Sequence, residues 1–266
     1  MNLELDGKVA IVTGGSRGIG KAIVNALARE GVDVAIVARD METADATAKE
    51  ISAATSRKVK AYRADTGDDA ETRAATAQIV TDFGRIDILV NAAAQPGGQA
   101  PPPKLAEVTS DFFHADVNVK VMGYLRMARE AAPHMIAGGF GRIINISGLA
   151  ARQTGAIVGS IRNVGVAALT KNLADELGPH GITVNCVHPG LTRTEKTEGV
   201  IARMAEKQGV APDEIERRMA SGNSIRRFVT AEQIGDIVAF LASPKSIAIN
   251  GESIGAGGGA PGAIHY

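Results

Sequence analysis

Tryptophan is absent from this chain, and aromatic side chains make up only 3% of its 266 residues. Base-stacking platforms for single-stranded nucleic acid are therefore disfavoured. Neither sign of charge is in excess, since 29 basic side chains meet 29 acidic ones. Nothing draws the chain toward nucleic acid or an acidic membrane surface. Cysteine is limited to Cys186, so no internal disulfide can form, and a reducing, cytoplasmic setting is expected. The sequence does not open with a cationic segment and an apolar run, so no signal peptide is expected. No apolar stretch is long enough to span a bilayer. His114, His134 and His180 show no ligand spacing, and no metal is expected.

What is plentiful is Ala, Val, Ile and Gly, which suits buried parallel strands under closely packed helices. Short β-type runs fall at Val9–Thr13, Asp33–Val37, Val59–Arg63, Ile86–Asn91, Gly141–Ser147, Thr183–Val187 and Glu252–Ala256. Helical patterns lie between them at Gly18–Glu30, Met41–Ala54, Asp69–Phe83, Asp111–Ala137, Ile157–Leu177 and Ala231–Leu241. This alternation predicts an α/β fold with a parallel sheet covered on both faces. Ligands in such sheets sit beyond the C-terminal strand ends. Gln95–Lys104, rich in Gly and Pro, reads as a surface loop beside that edge. The polar, helix-prone stretch 192–223 reads either as a lid or as a solvent-facing helix pair.

The stretch Thr13-Gly14-Gly15-Ser16-Arg17-Gly18-Ile19-Gly20 joins an apolar run to a helical pattern. A glycine turn there leaves backbone N–H groups free at a helix N-terminus, where unpaired donors and the helix dipole both attract phosphate. At the end of the second strand stands Arg39, and Arg17 lies inside the turn. A guanidinium binds phosphate through two parallel hydrogen bonds, which favours a 2′-phosphorylated dinucleotide, NADP(H). The alternative is a solvated Arg39 with Asp40 on a free ribose hydroxyl.

Thr13, Gly14, Gly18 and Gly20 match the TGxxxGxG cofactor turn of the short-chain dehydrogenase/reductase family, which the chain resembles over essentially its whole length. Asp65 matches the family's acidic residue against the adenine. Asn91-Ala92-Ala93-Ala94 is similar to its NNAG segment, and Pro189-Gly190 to the PG segment beside the nicotinamide. The resemblance implies a doubly wound Rossmann fold with a seven-stranded parallel sheet, as one dinucleotide-binding domain over 1–266. It implies cofactor contacts at Gly14, Ser16, Arg17, Gly18, Ile19, Gly20, Arg39, Asp65, Thr66, Asn91, Ala92, Ala93, Asn163, Pro189, Gly190 and Thr192. It also implies a small-molecule substrate and a homodimer or homotetramer built through the helices after the fourth and fifth strands. The small residues Gly165, Ala167 and Ala168 allow such close helix approach, and would equally suit packing on the sheet.

The family moves protons with Tyr-x-x-x-Lys on one helix, a Ser at the preceding strand end and an Asn on the neighbouring helix. Asn118 is similar to that Asn. Ser147 matches the first Ser of the strand end, and Gly148 falls where the catalytic one belongs. Counting back from Leu169-Thr170-Lys171, Gly159 falls at the Tyr position and Asn163 at the Lys position. Glycine offers no acid, and an amide does not titrate. Asn163 retains the capacity to bond the nicotinamide ribose, and an enlarged pocket is expected at Gly159. Replacement candidates are Ser147, Ser160 and His188, each with an ordinary structural reading beside it. Arg152 and Arg162 are candidates for an anionic substrate or for solvent. Tyr124 is expected to pack, and Tyr266 is a candidate to reach a neighbouring subunit's site. Three functions remain: an NADP(H) oxidoreductase with a non-standard site, a non-redox lyase, isomerase or cyclase, and a non-catalytic cofactor-binding homologue.

Overall fold

The computed structural model describes residues 1–94 and 102–261. Most of the Gln95–Lys104 loop, His265 and Tyr266 lie outside the described residues, and so does the reading of Tyr266 in a neighbouring site.

The first strand, β1 (Val9–Thr13), is apolar but for its last residue and buried throughout, as a strand covered on both faces must be. Successive side chains point to opposite faces. Ala10 and Val12 join a core with Ile23, Val24 and Leu27 of helix α1 (Gly18–Arg29), whereas Ile11 joins a second core on the other face. The chain continues through β2 (Asp33–Ala38), α2 (Met41–Thr55), β3 (Val59–Arg63), α3 (Asp69–Phe83) and β4 (Ile88–Asn91). After α4 (Ser110–Val117), a π-helical turn (Asn118–Met122) and α5 (Gly123–Gly138) come β5 (Gly141–Ile146), α6 (Ile157–Leu177) and β6 (Ile182–Pro189). The two-residue strands β7 (Thr192–Arg193) and β8 (Val229–Thr230) pair and enclose α7 (Thr197–Gln208) and α8 (Pro212–Ala220). Helix α9 (Ala231–Ala242) and β9 (Ser253–Ala256) complete the chain order.

The seven-stranded sheet runs β3-β2-β1-β4-β5-β6-β9, and every pairing is parallel. This is the doubly wound Rossmann architecture. Strand order reverses between β1 and β4, so the loops after these strands diverge and open a groove at the C-terminal edge. Helix ends facing that edge are capped by side chains: Asp40 accepts from Thr43 N–H at α2, and Asp68 from Glu71 N–H at α3.

Two boundaries depart from the sequence reading. The predicted helix over 111–137 is interrupted by the π turn, in which Gly123 N–H donates to Asn118 O. The Arg126 guanidinium also donates to that carbonyl, and to Thr66 O, both at 3.2 Å. It thereby supports a register that an uninterrupted helix would not adopt. The sixth strand extends two residues past Val187, because His188 and Pro189 pair with Gly255 and Ala256 of β9. The 192–223 stretch contains α7 and α8, which bury Ile201, Ile215 and Phe228 in a small core of their own.

Candidate active site

The glycine turn after β1 is shaped by close approach. A Cβ on Gly20 would fall 2.1 Å from Gly14 O, and Gly14 and Gly18 have φ of +67° and +55°. Glycine is needed at all three. Thr13 Oγ1 accepts from the N–H groups of Ala92 and Ala93, at 3.0 and 3.1 Å, which ties the β1 and β4 loops together. Between them lies a groove of about 340 Å³. Gly14, Ser16, Arg17, Gly18, Ile19 and Gly20 line one side, Ala92 and Ala93 the other, and Arg39, Asp65 and Thr66 the far end.

At the mouth of the turn, Gly18 N–H donates to the Glu195 carboxylate at 3.2 Å. An anion thus already sits where the helix N-terminus favours one. Arg39 is exposed, with its guanidinium 3.7 Å from Asp65. Asp40 is engaged elsewhere: its carboxylate caps α2 and accepts from the Thr43 hydroxyl at 2.7 Å. The Thr43 hydrogen bonds, and more weakly the Arg17 charge, hold Asp40 below the usual carboxylate range.

Four residues expected at the cofactor, Asn91, Thr192, Pro189 and Gly190, do not line this groove. Asn91 is buried, and its amide donates to Asn145 Oδ1 at 2.9 Å, joining β4 to β5 rather than facing the groove. Thr192 donates to Gly190 O at 3.0 Å, and Thr194 lines the groove instead, with Glu195 and Lys196. Thr192 is held in the β7–β8 pairing opposite Val229, which no local signal announces. Pro189 and Gly190 border a separate cavity of about 320 Å³ with Leu149, Gln153, Met219 and Asn223.

The polar centre lies where β5 ends. Ser147 is buried, and its hydroxyl donates to Asn163 O at 3.1 Å and Oδ1 at 3.2 Å. A Cβ on Gly148 would face the Asn163 amide at 3.3 Å. A Cβ on Gly159 would fall 3.2 Å from Ala156 Cβ, a tight contact, and would meet no other side chain within 4 Å. His188 Nδ1 donates to Gly148 O at 3.0 Å, and its Nε2 lies 3.6 Å from Cys186 Sγ. Burial holds the imidazole below its ordinary pKa and the Cys186 thiol up at about 11, so both are neutral near pH 7. Ser160 is turned aside, donating to Gln153 O at 2.9 Å. Arg152 is bound to Ser253 O at 2.7 Å.

Asn118 stands apart from the Ser147 centre. Its amide donates to Gly67 O at 3.0 Å, toward the β3–α3 loop and not toward Ser147. The π turn rotates the next residues, and Lys120 reaches the strand end instead. It is buried, with Nζ 3.0 Å from Ser147 O. Arg162 forms a largely buried ion pair with Asp116, so it is neither solvated nor free for a substrate. Tyr124 packs beneath, donating to Ile146 O at 2.8 Å. Sequence reading missed Lys120 and the Asp116–Arg162 pair. A lysine amid apolar helical positions was the available signal for the first, and none existed for the second. Among the described residues, no cluster of His, Cys, Asp or Glu could hold a metal ion, and no helix is long and apolar enough to cross a membrane.

A family model described as short chain dehydrogenase matches residues 8–205. A sorbitol dehydrogenase of Cereibacter sphaeroides is 35% identical over 260 residues, 97% of this chain and 98% of that protein. The NADPH-dependent reductase BacG of Bacillus subtilis is 32% identical, covering 95% of this chain and 97% of its own. Among solved structures, the L-sorbose reductase of Gluconobacter frateurii, complexed with NADPH and L-sorbose, superposes with a TM-score of 0.93 at 26% identity. That match covers 99% of this chain and 100% of the reductase.

Proposed function

Since the chain belongs to the short-chain dehydrogenase family, we propose that it is an NADP(H)-dependent oxidoreductase with a non-standard catalytic site, acting on a small molecule. The observation that carries the cofactor choice is the pair Arg39 and Asp40: the cation stands exposed at the end of β2, and the acid is tied to the α2 cap. No carboxylate at that position is left to take a ribose 2′-hydroxyl and repel a phosphate. The glycine cradle fits a pyrophosphate, for Gly14 and Gly18 take the positive φ that shapes the turn and Gly18 N–H already donates to an anionic oxygen. Gly14 to Gly20 would hold the phosphates, Arg39 with Arg17 the 2′-phosphate, and Asp65 with Thr66 the adenine. When bound, NADPH supplies a hydride. The likeness to NADPH-dependent reductases supports the same reading.

The catalytic departure is the finer part of the proposal. Gly148, Gly159 and Asn163 stand where the family places Ser, Tyr and Lys, and glycine at 159 supplies no phenol. Ser147 and Asn163 remain to orient a ribose or a substrate oxygen. The 192–223 segment acts as a lid, for its Thr194, Glu195 and Lys196 line the groove and its own core lets it move as a unit. Ile157, Ile161 and Val164 leave an apolar stripe on α6 exposed, which suits a homo-oligomer. The buried, unpaired Cys186 suits a reducing cytoplasm.

Fluorescence titration with NADPH and NADH tests the cofactor assignment. NADPH binding tighter by about tenfold or more is expected, and tighter NADH binding overturns it. The same missing phenol favours one second reading, a non-redox lyase, isomerase or cyclase. Product formation without any change in NADPH absorbance would select it.

A further inference from the structure

Lys120 is the only buried lysine among the described residues. Its ammonium carries three donors, and the hydrogen bond found for it runs to Ser147 O. The nearest carboxylate, Asp116, is paired with Arg162. A buried ammonium without its own counter-ion costs stability, and such costs persist where a site needs the charge. The charged and titratable groups that act with it are Asp116 on α4, Arg162 on α6, and Cys186 and His188 on β6, while Arg152 after β5 acts on Cys186 and His188. Burial first, and then the Arg162 charge, lower the Lys120 pKa to about 7, with Cys186 and Asp116 opposing. Cys186 and His188 are both held neutral at that pH. Lys120 is therefore the group here whose charge changes close to neutrality.

Its position gives that charge a use. Ser147, whose carbonyl it holds, bonds Asn163 through its hydroxyl and precedes Gly148, and the Gly148 carbonyl holds His188. We propose that Lys120 is a positioning residue that biases this site toward reduction. As a cation beneath Ser147 and Asn163, it opposes a positively charged oxidised nicotinamide and favours negative charge developing on a substrate oxygen. As a neutral amine it does neither. This role rests on the oxidoreductase reading above.

The test needs no substrate. The ratio of the dissociation constants of NADP+ and NADPH is measured from pH 6 to pH 9. The 2′-phosphate is common to both and cancels. A ratio about fivefold higher at pH 6 than at pH 9 is expected for a cation at this range. Lys120→Met should give a flat, low ratio, and Lys120→Arg a high one throughout. Lys120→Gln replaces the methionine variant if that one does not fold. Carbon-13 labelling at lysine Cε adds a signature that packing alone does not produce: one resonance titrating near 7 in the wild type, absent from the Met variant. A wild-type ratio that ignores pH, or a step that survives in Lys120→Met, overturns the role of Lys120. Failure of both nucleotides to bind overturns the oxidoreductase reading beneath it.

Discussion

Gly18 N–H donates to Glu195 at 3.2 Å, so a carboxylate of the 192–223 segment occupies the anion position at the start of α1. A phosphate arriving there must displace it, and the two anions compete for the same donors and the same dipole. Glu195→Gln keeps the shape and removes the charge. We expect NADPH to bind the variant more tightly, by about threefold to tenfold, with a weaker gain at high salt. Weaker binding would show Glu195 to be a ligand of the cofactor instead of its rival. Calorimetric titration at two ionic strengths decides between them.

Arg39 has its guanidinium 3.7 Å from Asp65, an exposed pair that stores little energy and separates readily. Arg39→Ala should weaken NADPH binding by about tenfold and leave NADH nearly unchanged, because only one of the two carries the phosphate that the fork would grip. Equal losses for both would mean that Arg39 holds the adenine side without reading the phosphate.

The parts of this site that were legible from sequence are those fixed by local sterics. Gly20 must be glycine because Gly14 O lies where its Cβ would be, and the spacing of the turn records that contact. Arg39 follows directly from the end of a readable strand. The illegible parts depend on register and on distant pairing. A π turn adds a residue to the helical repeat, which rotates each following side chain by about 100°. Asn118 and Lys120 thereby differ from an uninterrupted-helix reading. Thr194 rather than Thr192 faces the groove because two residues pair with Val229 and Thr230, far along the chain. The ion pair of Asp116 with Arg162 spans 46 positions and leaves no trace in either neighbourhood.

The catalytic departure proposed at Gly159 and Asn163 can be tested by reversing it. A Cβ there meets only Ala156, and Asn163 sits one helical turn on. The wild type is expected to show negligible reduction of simple ketones. Gly159→Tyr combined with Asn163→Lys returns a phenol and a cation to one helix face, and general acid catalysis of this kind contributes about 100-fold or more. NADPH oxidation with a panel of ketones measures the gain. No gain in a folded, NADPH-binding double variant would show that Gly159 and Asn163 are not what limits ketone reduction.

Lys120 makes a prediction about stability whose sign can be worked out. The unfolded chain holds this proton up to about the ordinary value of 10.5, and the native chain only up to about 7. Between those values the unfolded state binds more protons, so stability rises with pH. Below pH 7 both states are protonated, and the native protein bears the full cost of a buried cation. Lys120→Met removes that cost. We expect it to be more stable than the wild type at pH 6, by on the order of 2–3 kcal/mol, with the advantage shrinking steadily as pH climbs to 10. Urea unfolding at pH 6, 8 and 10 measures the difference. An advantage that is constant across that range would mean that the lysine keeps its ordinary pKa in the folded protein, and the cation would then be present at every physiological pH.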